Sequence, residues 1–239
     1  MTRHKISIAV FGASGRMGKS VVDLIKSDYA GQTTLEATID TRSGHPDDLA
    51  TVGAVIDFSL PDGTSTLLDW MESREGQLPN LLCGTTGLTE EHYERLDRLS
   101  EATLVFHATN FSTGVAALSA ILKFASPMLD SLSYDTRMIE RHHIHKLDAP
   151  SGTAKTLAEV LKPLDPASID IESIREGEVV GDHEVVFTGA ADQITIGHSA
   201  RDRTLFARGA IDAAIWLDQL DQSSGIYTME TYFQARFSS

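Results

Sequence analysis

Thiols, long apolar runs and basic residues are all scarce in this 239-residue chain, and each shortage excludes something. One cysteine, Cys83, cannot form an intramolecular disulfide and fits a reducing compartment. No apolar run is long enough to span a bilayer, and a strand-like run at 6–11 begins too early to leave room for a signal peptide. Lysine and arginine number 20 against 34 aspartates and glutamates, a formal charge of −14. That balance argues against nucleic acid or an anionic membrane surface as the main partner. It leaves a small anionic ligand open, because a local basic pocket outweighs the global field at short range. The expectation is a soluble, cytoplasmic protein whose length allows one or two domains with full cores.

What is present falls into two styles. Up to about residue 110 the pattern is short apolar strand, turn, amphipathic helix. Strands are expected at 6–11, 35–40, 54–58, 81–83 and 104–107, apolar enough to be buried on both faces. A helix with Met17, Val21, Leu24 and Ile25 on one face follows the first, and helices at 64–72 and 90–101 separate the later ones. The link at 41–52 reads as a loop with at most one helical turn. This alternation predicts an α/β fold with a Rossmann-like, doubly wound parallel sheet. Beyond it come a long apolar helix at 113–129, a strand at 134–140 and a helix at 153–161. Strands at 169–175, 183–188 and 193–198 follow, with a Gly-Asp turn in the 179–186 region, and a last helix lies near 206–217. That order predicts a smaller α+β domain with a mixed or antiparallel sheet.

Gly12-Ala13-Ser14-Gly15-Arg16-Met17-Gly18 follows a strand and opens a helix, the context required for dinucleotide binding. Gly12 permits the tight turn, Gly15 the approach of a pyrophosphate, and Gly18 close contact of helix and sheet. The spacing G-x-x-G-x-x-G is less specific than G-x-G-x-x-G, and a tight turn without ligand is the competing reading. Asp40, ending the second strand, strengthens the ligand reading, since an acid there accepts hydrogen bonds from ribose hydroxyls and repels an extra phosphate. NADH is therefore favoured with NADPH tolerated; Arg42 is either an offsetting cation or a solvated turn residue. Gly84, Thr85 and Thr86, and Ala108, Thr109, Asn110 and Phe111, lie just past strand ends on the same sheet edge, where small residues let backbone groups reach a nicotinamide. Phe58-Ser59 is a weaker third point. Cys83 reads as a buried apolar residue.

The densest chemistry lies at 140–154, Glu-Arg-His-His-Ile-His-Lys-Leu-Asp-Ala-Pro-Ser-Gly-Thr-Ala. His142, His143 and His145 on an H-H-x-H run point in divergent directions, and no cysteine or carboxylate cluster matches them, so no metal site is expected. Either this is a solvated loop or it gathers protonated groups around an anion. A histidine near its unperturbed pKa of ~6.5 donates a proton at neutral pH. Lys146 stays positive and holds a carboxylate or polarises an imine, Asp148 orients a neighbour or pins the loop, and a helix starting near Ser151 adds its positive end.

These residues resemble the dihydrodipicolinate reductase family. The shared pieces are G-A-S-G-R-M-G at 12–18, V-I-D-F-S at 55–59, G-T-T-G at 84–87 and N-F-S-x-G at 110–114. To these add E-x-H-H-x-x-K-x-D-A-P-S-G-T-A at 140–154, S-A-R-D-R-T-x-F-A-x-G-A at 199–210 and S-G-I-Y-x-M at 224–229. The resemblance implies reduction of 4-hydroxy-tetrahydrodipicolinate (dihydrodipicolinate) to tetrahydrodipicolinate by NADH or NADPH in lysine and diaminopimelate biosynthesis. It implies that His142 is the acid/base residue and Lys146 a second proton-donating or carboxylate-holding group, both catalytic. His143, Gly152 and Thr153 correspond to contacts with a small dicarboxylate substrate. Gly12 to Met17, Asp40, Gly84 to Thr86 and Ala108 to Phe111 correspond to cofactor contacts, with Arg203 and Phe206 approaching on closure. It implies a nucleotide domain of residues 1–112 and 203–239, a substrate and oligomerisation domain of residues 113–202, and a homotetramer. Thr41 stands where some members carry a phosphate-binding arginine, and Thr109 where a small apolar residue or proline is common.

Two rivals share these residues: another nicotinamide oxidoreductase on the same scaffold, and a non-catalytic NADH-binding sensor. Turnover of a different substrate would mark the first. Tight NADH binding without turnover would mark the second, although a sensor has no need of the His-His-x-x-Lys group.

Overall fold

The computed structural model describes residues 5–40, 46–49, 51–161 and 169–237. In chain order the elements are β1 (Ile6–Phe11), α1 (Arg16–Lys26), β2 (Thr33–Ile39), a 3-10 turn (Pro46–Leu49), β3 (Ala54–Asp57), α2 (Pro61–Glu72), β4 (Asn80–Cys83), α3 (Glu90–Leu99) and β5 (Leu104–His107). There follow α4 (Thr113–Ser131), β6 (Asp135–His142), α5 (Gly152–Leu161), β7 (Asp170–Arg175), β8 (Gly181–Thr188), β9 (Gln193–Ala200), α6 (Thr204–Asp218), β10 (Gly225–Tyr227) and α7 (Met229–Phe237). The expectations for Thr41 and Arg42 lie outside the described residues. Among the described residues, no helix is long and apolar enough to cross a membrane.

The chain divides into two compact units: residues up to Phe111 together with those from Thr204 on, and Ser112–Arg203. The first unit is a six-stranded sheet in the order β10-β5-β4-β3-β1-β2, with every pairing parallel. Strand β3 is buried on all four residues, as the continuous apolar run Ala-Val-Ile requires when helices cover both faces. Its core joins Phe11, Val55, Leu67, Leu68, Met71, Leu81 and Val105. Helix α1 turns Val21, Leu24 and Ile25 inward, as their spacing predicts, and α2 starts at Pro61, whose missing N–H costs nothing at a first helical position.

The second unit is a mixed four-stranded sheet, β7-β6-β8-β9, in which only β6 and β7 run parallel. Leu118, Leu122 and Leu129 of α4 pack with Leu157 and Leu161 of α5 on Met138, Val185 and Phe187. Ser112 caps α4 by accepting the Val115 N–H at 3.1 Å.

Two sequence expectations are corrected here. The strand entering the histidine segment does not end at Glu140: β6 runs on through Arg141, paired with both β7 and β8, and through His142, paired with Arg175 of β7. His142 is therefore a strand residue. Gly181-Asp182 is not a turn but the start of β8, because Asp182 pairs with Arg141 on one side and Ser199 on the other. The turn falls earlier, where Gly177 takes a φ of +49°.

Candidate active site

In the first unit, β1 lies between β2 and β3, the point where strand order reverses and where such sheets bind ligands beyond their C-terminal ends. The chain leaves β1 at Gly12, whose φ is +79° and where a Cβ would meet the Phe58 carbonyl oxygen at 2.7 Å. Only glycine fits there. Gly15 caps α1 with its backbone and no side chain, which leaves the helix's positive end open to an anion. Asp40 is bound to this turn: its carboxylate accepts the Ser14 N–H at 2.9 and 3.0 Å and the Ser14 hydroxyl at 2.9 Å.

A cleft of about 410 Å³ is lined by Arg16 and Met17, by Gly84, Thr85 and Thr86, and by Thr109, Asn110 and Phe111. Thus three of the segments singled out in the sequence meet. Phe58, Ser59 and Phe206, weaker candidates in the sequence, line it too. Ala108 instead sits buried beneath, its N–H on the Cys83 carbonyl at 3.1 Å. A glycine turn at a helix start, an acid at the end of β2 and a cleft along three strand ends fit a dinucleotide. Sequence reading missed Asp57, a fully buried carboxyl at the end of β3 that accepts from the Ser59 N–H, Thr64 and Thr85. Cys83 is buried beside it, and burial pushes its thiol far from nucleophilic use.

In the second unit, His142 ends β6 with its ring buried. Its Nδ1 is hydrogen-bonded with Oε2 of Glu140, a carboxylate with no exposed surface. Burial opposes the charge of Glu140, but hydrogen bonds from Arg175 and His142 outweigh it and hold the carboxyl below its usual range. Burial also lowers the proton affinity of His142; Glu140 partly restores it, and the charges of Lys146 and Arg175 lower it again. The remaining ring nitrogen, Nε2, lies beside Gly181, where a Cβ would stand 3.0 Å away.

The segment after His142 is tied down by its backbone: Glu176 N–H reaches the His142 carbonyl at 2.9 Å and Lys146 N–H the His143 carbonyl at 3.1 Å. Lys146 Nζ meets Asp148 Oδ1 at 2.8 Å. Burial opposes the charge of Asp148, yet Lys146 and the Gly152 N–H hold it below the usual carboxylate range. The Ala149–Pro150 peptide is cis, and α5 begins at Gly152 with Thr153 in its first turn. Ser151 caps that helix, its Oγ accepting the Ala154 N–H at 3.1 Å. His143 has a buried Nδ1 without a partner among the described residues. His145 is exposed and lies 3.8 Å from Glu178.

Two histidines were missed in the sequence because they sit on strands of ordinary alternating pattern. His183 of β8 packs edge-on against His142 at 5.2 Å between ring centres and meets Ser151 Oγ at 3.2 Å. Burial, then the charge of His142, depresses its pKa to about 4. His198 of β9 pairs across the sheet with His183. No group of three or more metal-ligating side chains is gathered among the described residues.

Residues 6–111 match the family model described as dihydrodipicolinate reductase, N-terminus, and residues 114–233 that described as dihydrodipicolinate reductase, C-terminus. The 4-hydroxy-tetrahydrodipicolinate reductase of Halorhodospira halophila is 35% identical, covering 94% of this chain and 97% of its own. That of Akkermansia muciniphila is 38% identical, covering 94% and 96%. Among solved structures, dipicolinate-bound dihydrodipicolinate reductase from Paenisporosarcina sp. TG-14 shares the fold, with a TM-score of 0.73 at 21% identity over 94% of this chain and 98% of that one.

Proposed function

The chain belongs to the dihydrodipicolinate reductase family, whose NAD(P)H-dependent reduction of 4-hydroxy-tetrahydrodipicolinate in lysine biosynthesis is its activity, and we propose that His142 supplies the proton for that reaction. The observation that carries the assignment is the buried His142–Glu140 pair at the end of β6, in one unit with Lys146 and the start of α5. The first unit binds the cofactor through Gly12, Ala13, Ser14, Gly15, Arg16, Met17 and Asp40, and through Gly84, Thr85, Thr86, Ala108, Thr109, Asn110 and Phe111. When bound, the reduced nicotinamide supplies the hydride. Asp40 favours NADH, because a carboxylate at the end of β2 repels a 2′-phosphate.

In the second unit the substrate is a small dicarboxylate, the class of ligand carried by the Paenisporosarcina structure. Lys146 holds one carboxylate as a point charge, and the Gly152 and Thr153 N–H groups at the start of α5 receive the other with help from His143. Asp148 keeps Lys146 close to Gly152. His142 delivers its proton from Nε2, since Nδ1 faces Glu140. A pKa below the ordinary histidine value makes the ring a stronger acid once it has been charged from solvent.

The same unit assembles a homotetramer. Ile121, Phe124, Met128 and Leu132 stand exposed at helical spacing along and just beyond α4, and Ile194 does so on β9. The setting is cytoplasmic. The test is oxidation of NADH and of NADPH with substrate made in place by dihydrodipicolinate synthase, alongside light scattering for subunit number. Consumption dependent on the synthase product and faster with NADH supports the reading; equal or faster use of NADPH removes the role given to Asp40.

A further inference from the structure

Glu140 carries a charge with no exposed surface, and its hydrogen bonds tie together the proposed proton donor and its neighbours. Oε2 faces Nδ1 of His142; Oε1 accepts from Arg175 Nη2 at 2.8 Å and from the Ser151 N–H at 3.3 Å. A buried carboxylate without a countercharge is strongly destabilising. Arg175 provides one from β7, where it stands in register with His142, and is itself held by the carbonyl oxygens of Ile174 and Asp148. One carboxylate thus joins the donor's strand, the neighbouring strand and the residue that caps α5.

We infer that Glu140, clamped by Arg175, is the positioning residue of His142: it keeps one proton on Nδ1 and leaves Nε2, beside Gly181, as the atom that carries and releases the other. The inference rests on His142 being the donor. A histidine with two free nitrogens divides its proton between them, and the wrong tautomer presents a lone pair where an N–H is needed. Glu140 removes that choice and stabilises the charged ring, while Arg175 supplies the countercharge that a carboxylate buried there requires.

The groups facing His142 are Glu140 from its own strand, Lys146 from the following segment, Arg175 from β7 and His183 from β8. Their signs make the test specific. Glu140→Gln removes the carboxylate that favours the charged ring, so the loss of kcat with rising pH moves to lower pH. Arg175→Gln removes a cation that disfavours it, so the same limb moves to higher pH. Loosened packing alone gives no reason for opposite shifts.

The experiment is kcat and KM against pH for the full chain and both variants, with nitrogen-15 NMR of the His142 ring to read its tautomer. Glu140→Gln is expected to lose kcat by about 100-fold, the scale of general-acid catalysis, with KM changed by less than about 3-fold. Its neutral ring is expected to shift from the Nδ1–H form toward Nε2–H. Should Glu140→Gln not fold, the upward shift in Arg175→Gln and the Nδ1–H form of the unaltered protein carry the test. Wild-type kcat with an unmoved pH limb in Glu140→Gln, or an Nε2–H ring in the unaltered protein, would overturn the inference. His142→Gln with wild-type kcat would instead remove the donor assignment, leaving the tautomer result as a separate reading of Glu140.

Discussion

Thr85 donates its hydroxyl to the buried carboxylate of Asp57 at 3.1 Å, and Thr64 donates to the same oxygen at 2.6 Å. The other oxygen accepts the Ser59 N–H at 2.9 Å. Asp57 ends β3 and Thr85 follows β4, so one group fixes two of the segments that line the cleft. Asp57→Ala is expected to lower stability by about 2–4 kcal/mol, since three donors lose their acceptor in a buried site. Urea unfolding measures this directly, and KM for the reduced nucleotide should rise with it. A variant as stable as the parent would show that the hydroxyls find other acceptors.

Removal of the donor and removal of the cation should leave different kinetic traces. His142→Gln is expected to lose kcat by about 10²–10⁴-fold with little change in substrate KM, the mark of a group that acts in proton transfer. Lys146→Ala should lose kcat and raise KM together, because its charge holds the carboxylate before and during reaction. Steady-state kinetics on the coupled assay separates the two patterns; reversal of the patterns would exchange the roles.

His183 makes the second unit sensitive to acid. Its folded pKa of about 4 lies below the ordinary histidine value of 6.5, so below 6.5 the unfolded chain binds the proton more readily. The contribution to stability is intact above 6.5 and is lost as pH falls toward about 4, up to about 3 kcal/mol in all. His183→Gln should therefore lose less stability than the parent between neutral pH and about pH 5. Urea unfolding at both values reads the difference, and equal losses would place the acid sensitivity elsewhere.

Asp40 sets an expectation for cofactor choice. With the carboxylate neutralised in Asp40→Asn, the repulsion of a 2′-phosphate disappears while the Ser14 contacts keep an acceptor. The ratio of kcat/KM for NADPH to that for NADH should rise by about 10-fold or more, on the scale of one lost like-charge contact near the surface. An unchanged ratio would move the choice to residues beyond Asp40.

Strands β1, β3, β4 and β5 were legible because a short run of apolar residues between turns has few alternatives in an alternating chain. Strand β10 was not, since Gly225, Ile226 and Tyr227 are too few to show a period. Helix α7 was not either, because it spans only nine residues and Arg236 falls on the same face as Met229, Tyr232 and Phe233. Gly181-Asp182 was misread because turn chemistry is a local signal, and pairing on both sides of β8 overrode it. At the site, Arg16, Thr85 and Asn110 could be placed on one sheet edge from order alone. Glu140, Arg175 and His183 could not be grouped, because their meeting depends on the register of β6 with β7 and β8, which no nearby spacing encodes.

The first unit is interrupted in the chain: β10 completes the sheet beside β5, and α6 covers β3 and β4, yet both come after Arg203. During synthesis the intervening unit is whole before the first can close, so β5 waits with an unpaired edge until the segment beyond Arg203 emerges. The segment beyond Arg203 is thus a latch, and a break just past Arg203 would spare the second unit while leaving the first open to mispairing.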